Sequence, residues 1–310
     1  MENILAFFSE NIAQILKSYL SPKHILEVEE IRIRANNPII IKNNDGEIIL
    51  DYIITTDDLL RTLEKICENS IYTYQNQICN GFITVKGGHR VGITGNAVVE
   101  GEKIININYI SSLNFRVAKQ ILDCSNSILK YVTETATNTV KNTLIVSSPG
   151  AGKTTILRDL VRKISSGFNG FKGLTVGLVD ERGEIAAMYK GIPQNNIGIR
   201  TDVIDNVPKS EAMKLLIRSM APQVIVADEI GGIYDVEIIN YAVCSGVKGI
   251  FTAHGATFTD LKLNHTLNTL IKDYIFERII FLENKKVREI DYFNPRTLKY
   301  EKLGEKTACT

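Results

Sequence analysis

The residues best suited to chemistry lie in one run, Leu144 to Leu157, which reads LIVSSPGAGKTTIL. An apolar triplet (Leu144, Ile145, Val146) predicts a strand, and Ile156, Leu157, Leu160, Val161 and Ile164 recur at helical spacing after it. Between them stand Pro149, Gly150, Ala151, Gly152, Lys153, Thr154 and Thr155. A strand, a glycine-rich loop and a helix in that order form the context in which a GKT match reads as a phosphate-binding loop. Backbone N–H groups and the positive end of the helix would face the phosphates. Lys153 would place a point charge on the β- and γ-phosphates, its side chain meeting only phosphate and solvent. The Thr154 hydroxyl would reach Mg²⁺. Ser147 stands where the usual pattern opens with Gly. That Gly serves the turn, so tolerance of Ser is expected. ATP and Mg²⁺ are the implied ligands.

Three further groups belong to the same chemistry. Val224 to Ala227 is an apolar strand ending in Asp228 and Glu229. Such a pair, some seventy residues after a phosphate-binding loop, suits a carboxylate in the Mg²⁺ shell (Asp228) and one polarising the attacking water (Glu229). Leu174 to Val179 runs into Asp180, Glu181, Arg182, Gly183 and Glu184, with Glu184 as an alternative base. Gly249 to Thr252 runs into Ala253 and His254, which the same sheet logic places near the γ-phosphate. Positive charge beyond Lys153 is also required. An arginine supplied by a neighbouring subunit is a common solution, with Arg90, Arg116 and Arg200 as candidates. Arg218, in the helix before Val224, suits bracing its own subunit.

The elements that carry these groups fall into two domains. Before the loop, residues 4–19 put Ile4, Leu5, Phe8, Ile12, Ile15, Leu16 and Tyr19 on one helical face, ended by Pro22. The face suits docking on its own domain or a partner better than a membrane, because the polar side is mixed in charge. Alternating strands follow at Glu30–Lys42, a hairpin at Asp45–Gly46, and a capping-box helix from Thr55 to Asp58 onward. Gly81 to Val99 predicts two strands, with a turn at Gly95–Asn96. A further strand spans Ser111 to Val117. Arg32, Arg34, His89, Arg90 and Arg116 are consistent with a solvated sheet face. A helix over Ile121–Tyr131 and the Thr/Asn-rich stretch TETATNTVKN mark the boundary, giving residues 1–135 and 136–310. The second part alternates strand and helix. It closes with a hairpin around Glu283–Lys286 and a polar tail from Lys302.

Composition limits the alternatives. In 310 residues the chain is 44% hydrophobic and 23% charged, as expected for a globular protein of about two domains. A net charge of +1 gives no general attraction to nucleic acid. Five scattered cysteines without a CxxC read as reduced thiols. No apolar run reaches the ~20 residues of a spanning helix, and Glu2 and Glu10 argue against a signal peptide.

The runs EEIRIRANNP, GFITVKGGHRVGITG, SSPGAGKTTILRDL, VDERGEIA, IRTDV and RSMAPQVIVADEIG resemble the stage III sporulation protein AA family over essentially the whole chain. More widely the chain is similar to RecA-like secretion ATPases of type II and type IV pilus systems. VDERGEIA resembles their acidic box, GIFTAHGAT their histidine box, and RSMAPQVIVADEIG their Walker B segment, with Asp228 where those proteins often have Gly. The resemblance implies an α/β fold, a RecA-like P-loop NTPase motor preceded by a smaller α+β domain. It implies a hexameric, cytoplasmic ATPase, peripheral to the membrane through membrane proteins of a sporulation channel between mother cell and forespore. It also implies first-domain arginines, Arg116 foremost, acting across subunits. Two rivals stay open. One is a nucleic-acid-translocating ATPase, disfavoured by the near-neutral charge and the lack of an aromatic stacking platform. The other is a nucleotide-gated scaffold with little turnover.

Overall fold

A computed structural model describes residues 2–20 and 27–303. The expected helix stop at Pro22 and the tail from residue 304 lie outside them. The chain divides into two compact units, residues 1–119 with 187–194 and residues 120–186 with 195–310. Residues 120–135, which composition groups with the first domain, therefore cluster with the second. The cause is Asp159 on the helix Lys153–Ser166. Its buried carboxylate accepts from the Ser125 N–H and hydroxyl at 2.9 and 2.6 Å and from the Asp123 N–H at 3.1 Å. That carboxylate fixes the segment leading into the helix Asn126–Val132.

In the first unit, the described residues form a six-stranded antiparallel sheet. Its order is Gly46–Ile53, Pro38–Asn43, Glu30–Arg34, Lys103–Arg116, Arg90–Glu100 and Phe82–Thr84. Alternation sends Ile31 and Ile33 into the core, where they meet Phe8, Ile12, Leu16, Leu59 and Leu63. The N-terminal stripe therefore packs on its own domain, except for Tyr19, which is exposed. It is broken into Glu2–Leu5 and Glu10–Tyr19, because Ser9 caps the second helix and its hydroxyl donates to Asp58 at 3.0 Å. Asp58 also closes the expected capping box with Thr55. Gly95–Asn96 is not a turn. Arg90–Glu100 is one strand with a register shift there, and a side chain at Gly95 would meet the Asn108 carbonyl at 2.6 Å. An isolated Gly in a strand marks a bulge more readily than a stop. On the sheet face opposite the core, Glu30, Arg116 and Arg90 stand side by side in register, and Arg116 is exposed.

The described residues of the second unit build an eight-stranded sheet. Its order is Thr201–Asp205, Val176–Asp180, Val224–Ala227, Lys248–His254, Thr143–Ser147, Arg278–Glu283, Lys286–Asn294 and Lys299–Lys302. The first six strands run parallel. Every residue of Thr143–Ser147, Val176–Asp180 and Val224–Ala227 is buried, the pattern of parallel strands covered on both faces. The segment expected as one helix from Phe258 divides into Phe258–Leu263 and His265–Lys272, with Asn264 capping the second. The closing hairpin gains the strand Lys299–Lys302, whose short mixed pattern gave no signal.

Asp291 on this closing sheet gives a pH prediction. It is 5% exposed, and burial pushes its carboxyl up to about 6, with Glu289 adding to the effect and Lys302 opposing it. Because the folded state holds this proton more tightly than the unfolded chain, stability should fall as pH rises from about 4 to about 6. Asp291→Asn should flatten that slope and raise stability at pH 7 by on the order of 2 kcal/mol. Urea denaturation of both proteins at pH 4.5 and pH 7 measures it, and equal slopes would refute the assignment.

Candidate active site

The candidate groups from the strand ends gather where the parallel strands end. The strand Thr143–Ser147 leads into the loop, and Gly150 and Gly152 hold φ of 75° and 90°, a region that favours glycine. The helix Lys153–Ser166 then begins at Gly152 with no side-chain cap, leaving its first N–H groups for an anion. Ser147 needs no glycine conformation. It lies in extended register with His254 on the adjacent strand.

Lys153 departs from expectation. Its side chain does not face solvent: the residue is 5% exposed, and its ammonium donates to the Ser147 and Ser148 carbonyls at 2.9 and 3.2 Å. It also reaches Nδ1 of His254 at 3.2 Å. A buried ammonium must find acceptors, and these groups supply them. Burial lowers its pKa, and the charges of Asp228 and Glu229 oppose that shift. An ammonium cannot accept, so His254 Nδ1 is the acceptor. Nε2 then carries the proton and donates to Glu229 Oε1 at 3.0 Å.

Thr154 donates to Asp228 Oδ2 at 2.6 Å. A hydroxyl and a carboxylate oxygen held together suit a small hard cation that takes its remaining ligands from phosphate and water. Thr252, the hydroxyl within the buried run from Gly249 to Ala253, donates to Asp228 Oδ1 and accepts from the Glu229 N–H at 2.7 Å. Those bonds hold Glu229 at φ 52°, a backbone conformation that costs a non-glycine residue about 1–2 kcal/mol.

The acidic stretch uses its members differently. Asp180 is buried, and its carboxylate accepts from the N–H groups of Glu184, Ile185 and Ala186 at 2.8–3.1 Å. Arg158, reaching over from the P-loop helix, donates to the Ile185 and Glu184 carbonyls. Asp180 thus fixes the loop while also bordering the cavity that Glu229 lines. Glu181 pairs with Lys209. Arg182 meets Glu229 Oε2 at 2.7 Å. Glu184, Arg182, Asp228 and Glu229 line one cavity of about 20 Å³.

The arginines are placed less as expected. Arg200 precedes Thr201–Asp205 and donates to the Ser165 carbonyl at 2.9 Å. It braces the C-terminal turn of the P-loop helix, at the end of the sheet opposite the site. Arg218 lies at the same far end, in the last turn of Lys209–Met220. Arg116 belongs to the first unit. Sequence reasoning missed Arg182, Thr252 and Arg158 as site residues. An arginine inside an acidic run and a hydroxyl inside a buried strand were the available signals.

A parallel sheet in which one strand separates the phosphate-loop strand from the Asp-Glu strand, with the acids at its C-terminal edge, is the fold of RecA-like P-loop NTPases. The fold is shared with the ATPase DotB of Legionella pneumophila, at a TM-score of 0.59 and 14% identity over 92% of this chain and 81% of that one. It is shared equally with the pilus retraction motor PilT, solved with ADP, at 0.60 and 15% over 91% and 81%. The chain belongs to the sporulation stage III, protein AA family, whose profile matches residues 1–292. It is 36% identical to stage III sporulation protein AA of Bacillus subtilis (strain 168) over 286 residues, 92% of each chain. Among the described residues, no helix is long and apolar enough to cross a membrane.

Proposed function

We propose that this chain is an ATPase that energises assembly or transport in a sporulation channel joining mother cell and forespore. The observation that carries the reading is the pairing of Thr154 with Asp228 at 2.6 Å, with Glu229 held beside them. In this reading Gly150, Ala151, Gly152 and Thr155 supply backbone N–H groups to the phosphates, and Pro149 shapes the turn. Lys153 leaves the Ser147 and Ser148 carbonyls for the β- and γ-phosphates. Thr154 and Asp228 hold Mg²⁺, which would neutralise phosphate charge when bound. Glu229 orients the attacking water, and His254 links that carboxylate to Lys153. The protein works as a cytoplasmic hexameric ring docked on membrane proteins of the channel, with Arg116 of the first unit completing a neighbour's site.

The test is phosphate release by the full chain in Mg²⁺ or EDTA, with and without single-stranded DNA and the cytosolic segment of a channel membrane protein. Mg²⁺-dependent turnover that DNA leaves unchanged and the segment alters is expected. Stimulation by DNA at physiological salt would favour the translocase instead. A second reading draws on one specific feature: Arg182 and His254 both engage Glu229. Binding without turnover under every condition would make the protein a nucleotide-gated scaffold.

A further inference from the structure

Hydrolysis gathers negative charge on the γ-phosphoryl oxygens, and Lys153 is a single point charge. The arginines suggested by sequence do not meet this need within the subunit, since Arg200 and Arg218 stand at the far end of the sheet. Arg182 does stand at the site. Its guanidinium is 2.7 Å from the Glu229 carboxylate, and both line the cavity that Asp228 and Glu184 also border. The cavity, about 20 Å³, has room for one water.

The way Arg182 is mounted matters. Its backbone lies two residues before Glu184–Ala186, a stretch held by both the Asp180 carboxylate and Arg158. Its side chain, by contrast, is 64% exposed. A rigid base under a free arm lets the guanidinium exchange partners without moving the loop. Its partner in the structure is Glu229. A triphosphate brings more negative charge than one carboxylate and oxygens spaced for a guanidinium fork.

We propose that Arg182 is a catalytic arginine acting in cis, moving from Glu229 to the γ-phosphate when ATP binds and so freeing Glu229 to orient water. The inference rests on the ATPase reading above. The water oxygen attacks the γ-phosphorus, the bond to the bridging oxygen breaks, and ADP leaves with that electron pair. Glu229 takes the water proton, and Arg182 holds the charge on the equatorial oxygens. Glu229 is then unavailable as a base until nucleotide is bound.

The test compares Arg182→Ala and Arg182→Lys with the wild type in steady-state hydrolysis, in ADP affinity, and in trapping of ADP with aluminium fluoride. Arg182→Ala should lower kcat by about 10³-fold, the lower end for a lost arginine finger. ADP affinity should stay within about twofold, trapping should fail, and Lys should restore part of the rate. Mixing Arg182→Ala with Lys153→Ala should recover nothing, because both residues serve the same subunit's site. Recovery on mixing would make Arg182 a donor to the neighbour and overturn the cis assignment. Turnover of Arg182→Ala within about threefold of wild type, or an equal loss of ADP affinity, would overturn it as well. A wild type that binds ATP without hydrolysing it would defeat the ATPase reading itself, a result visible before any variant is made.

Discussion

Glu229→Gln is expected to keep ATP bound while slowing hydrolysis by about 10²–10⁴-fold, the scale for losing a general base. The amide has nearly the same shape and can still accept from His254 Nε2 through its oxygen. The backbone that holds position 229, through Thr252, makes no use of the carboxylate. The substitution therefore removes charge and basicity while leaving the scaffold in place. It also removes the ion pair to Arg182, so nucleotide affinity should hold or rise. Single-turnover hydrolysis alongside a fluorescent-ATP titration separates the two effects. A Gln variant that turns over at the wild-type rate would shift the role of base to Glu184, which borders the same cavity.

Lys153→Ala should abolish ATP binding within the measurable range, and it should also lower the stability of the nucleotide-free protein. The second effect follows from the burial of Lys153. Removing the ammonium strips the buried Ser147 carbonyl of a donor, at a cost of about 1–3 kcal/mol for a buried group left unpaired. Thermal melts with and without Mg²⁺-ATP measure both effects. The wild type at a hundredfold excess over Kd should gain about 2.7 kcal/mol, whereas the variant should start lower and gain nothing. An ATP-induced shift in the variant equal to that of the wild type would remove Lys153 from the site.

The legible part of this site is the part that parallel strands position. Ser147, Asp228 and His254 each end or directly follow a buried apolar run, and parallel runs bring such ends together whatever the strand order. Arg182 was not legible because its meaning depends on which strand neighbours which. Only the adjacency of Val176–Asp180 and Val224–Ala227 sets it against Glu229. The burial of Lys153 was hidden for a related reason. A lysine in a phosphate loop reads as waiting for its ligand, while the folded chain has to satisfy it beforehand. In the first unit, Gly95 was read by its turn propensity, although the cross-strand approach of the Asn108 carbonyl decides its place.

The assignment of Ala187–Gln194 to the first unit carries a consequence for the gene. The pair Met188–Tyr189 and Ile192–Pro193 is encoded inside the motor sequence, yet the Gln194 side chain accepts from the Gly87 N–H at 2.8 Å, and Tyr189 and Lys190 both contact Glu68. A fragment stopping at Lys119 lacks a piece of its own fold, and one starting at Gln120 carries that piece without its partners. Neither part is a cassette that recombination could shuffle by one crossover. An ancestral motor joined end to end with a foreign N-terminal module would have had to acquire this insert separately, so the two parts are expected to have diversified as a single inherited block.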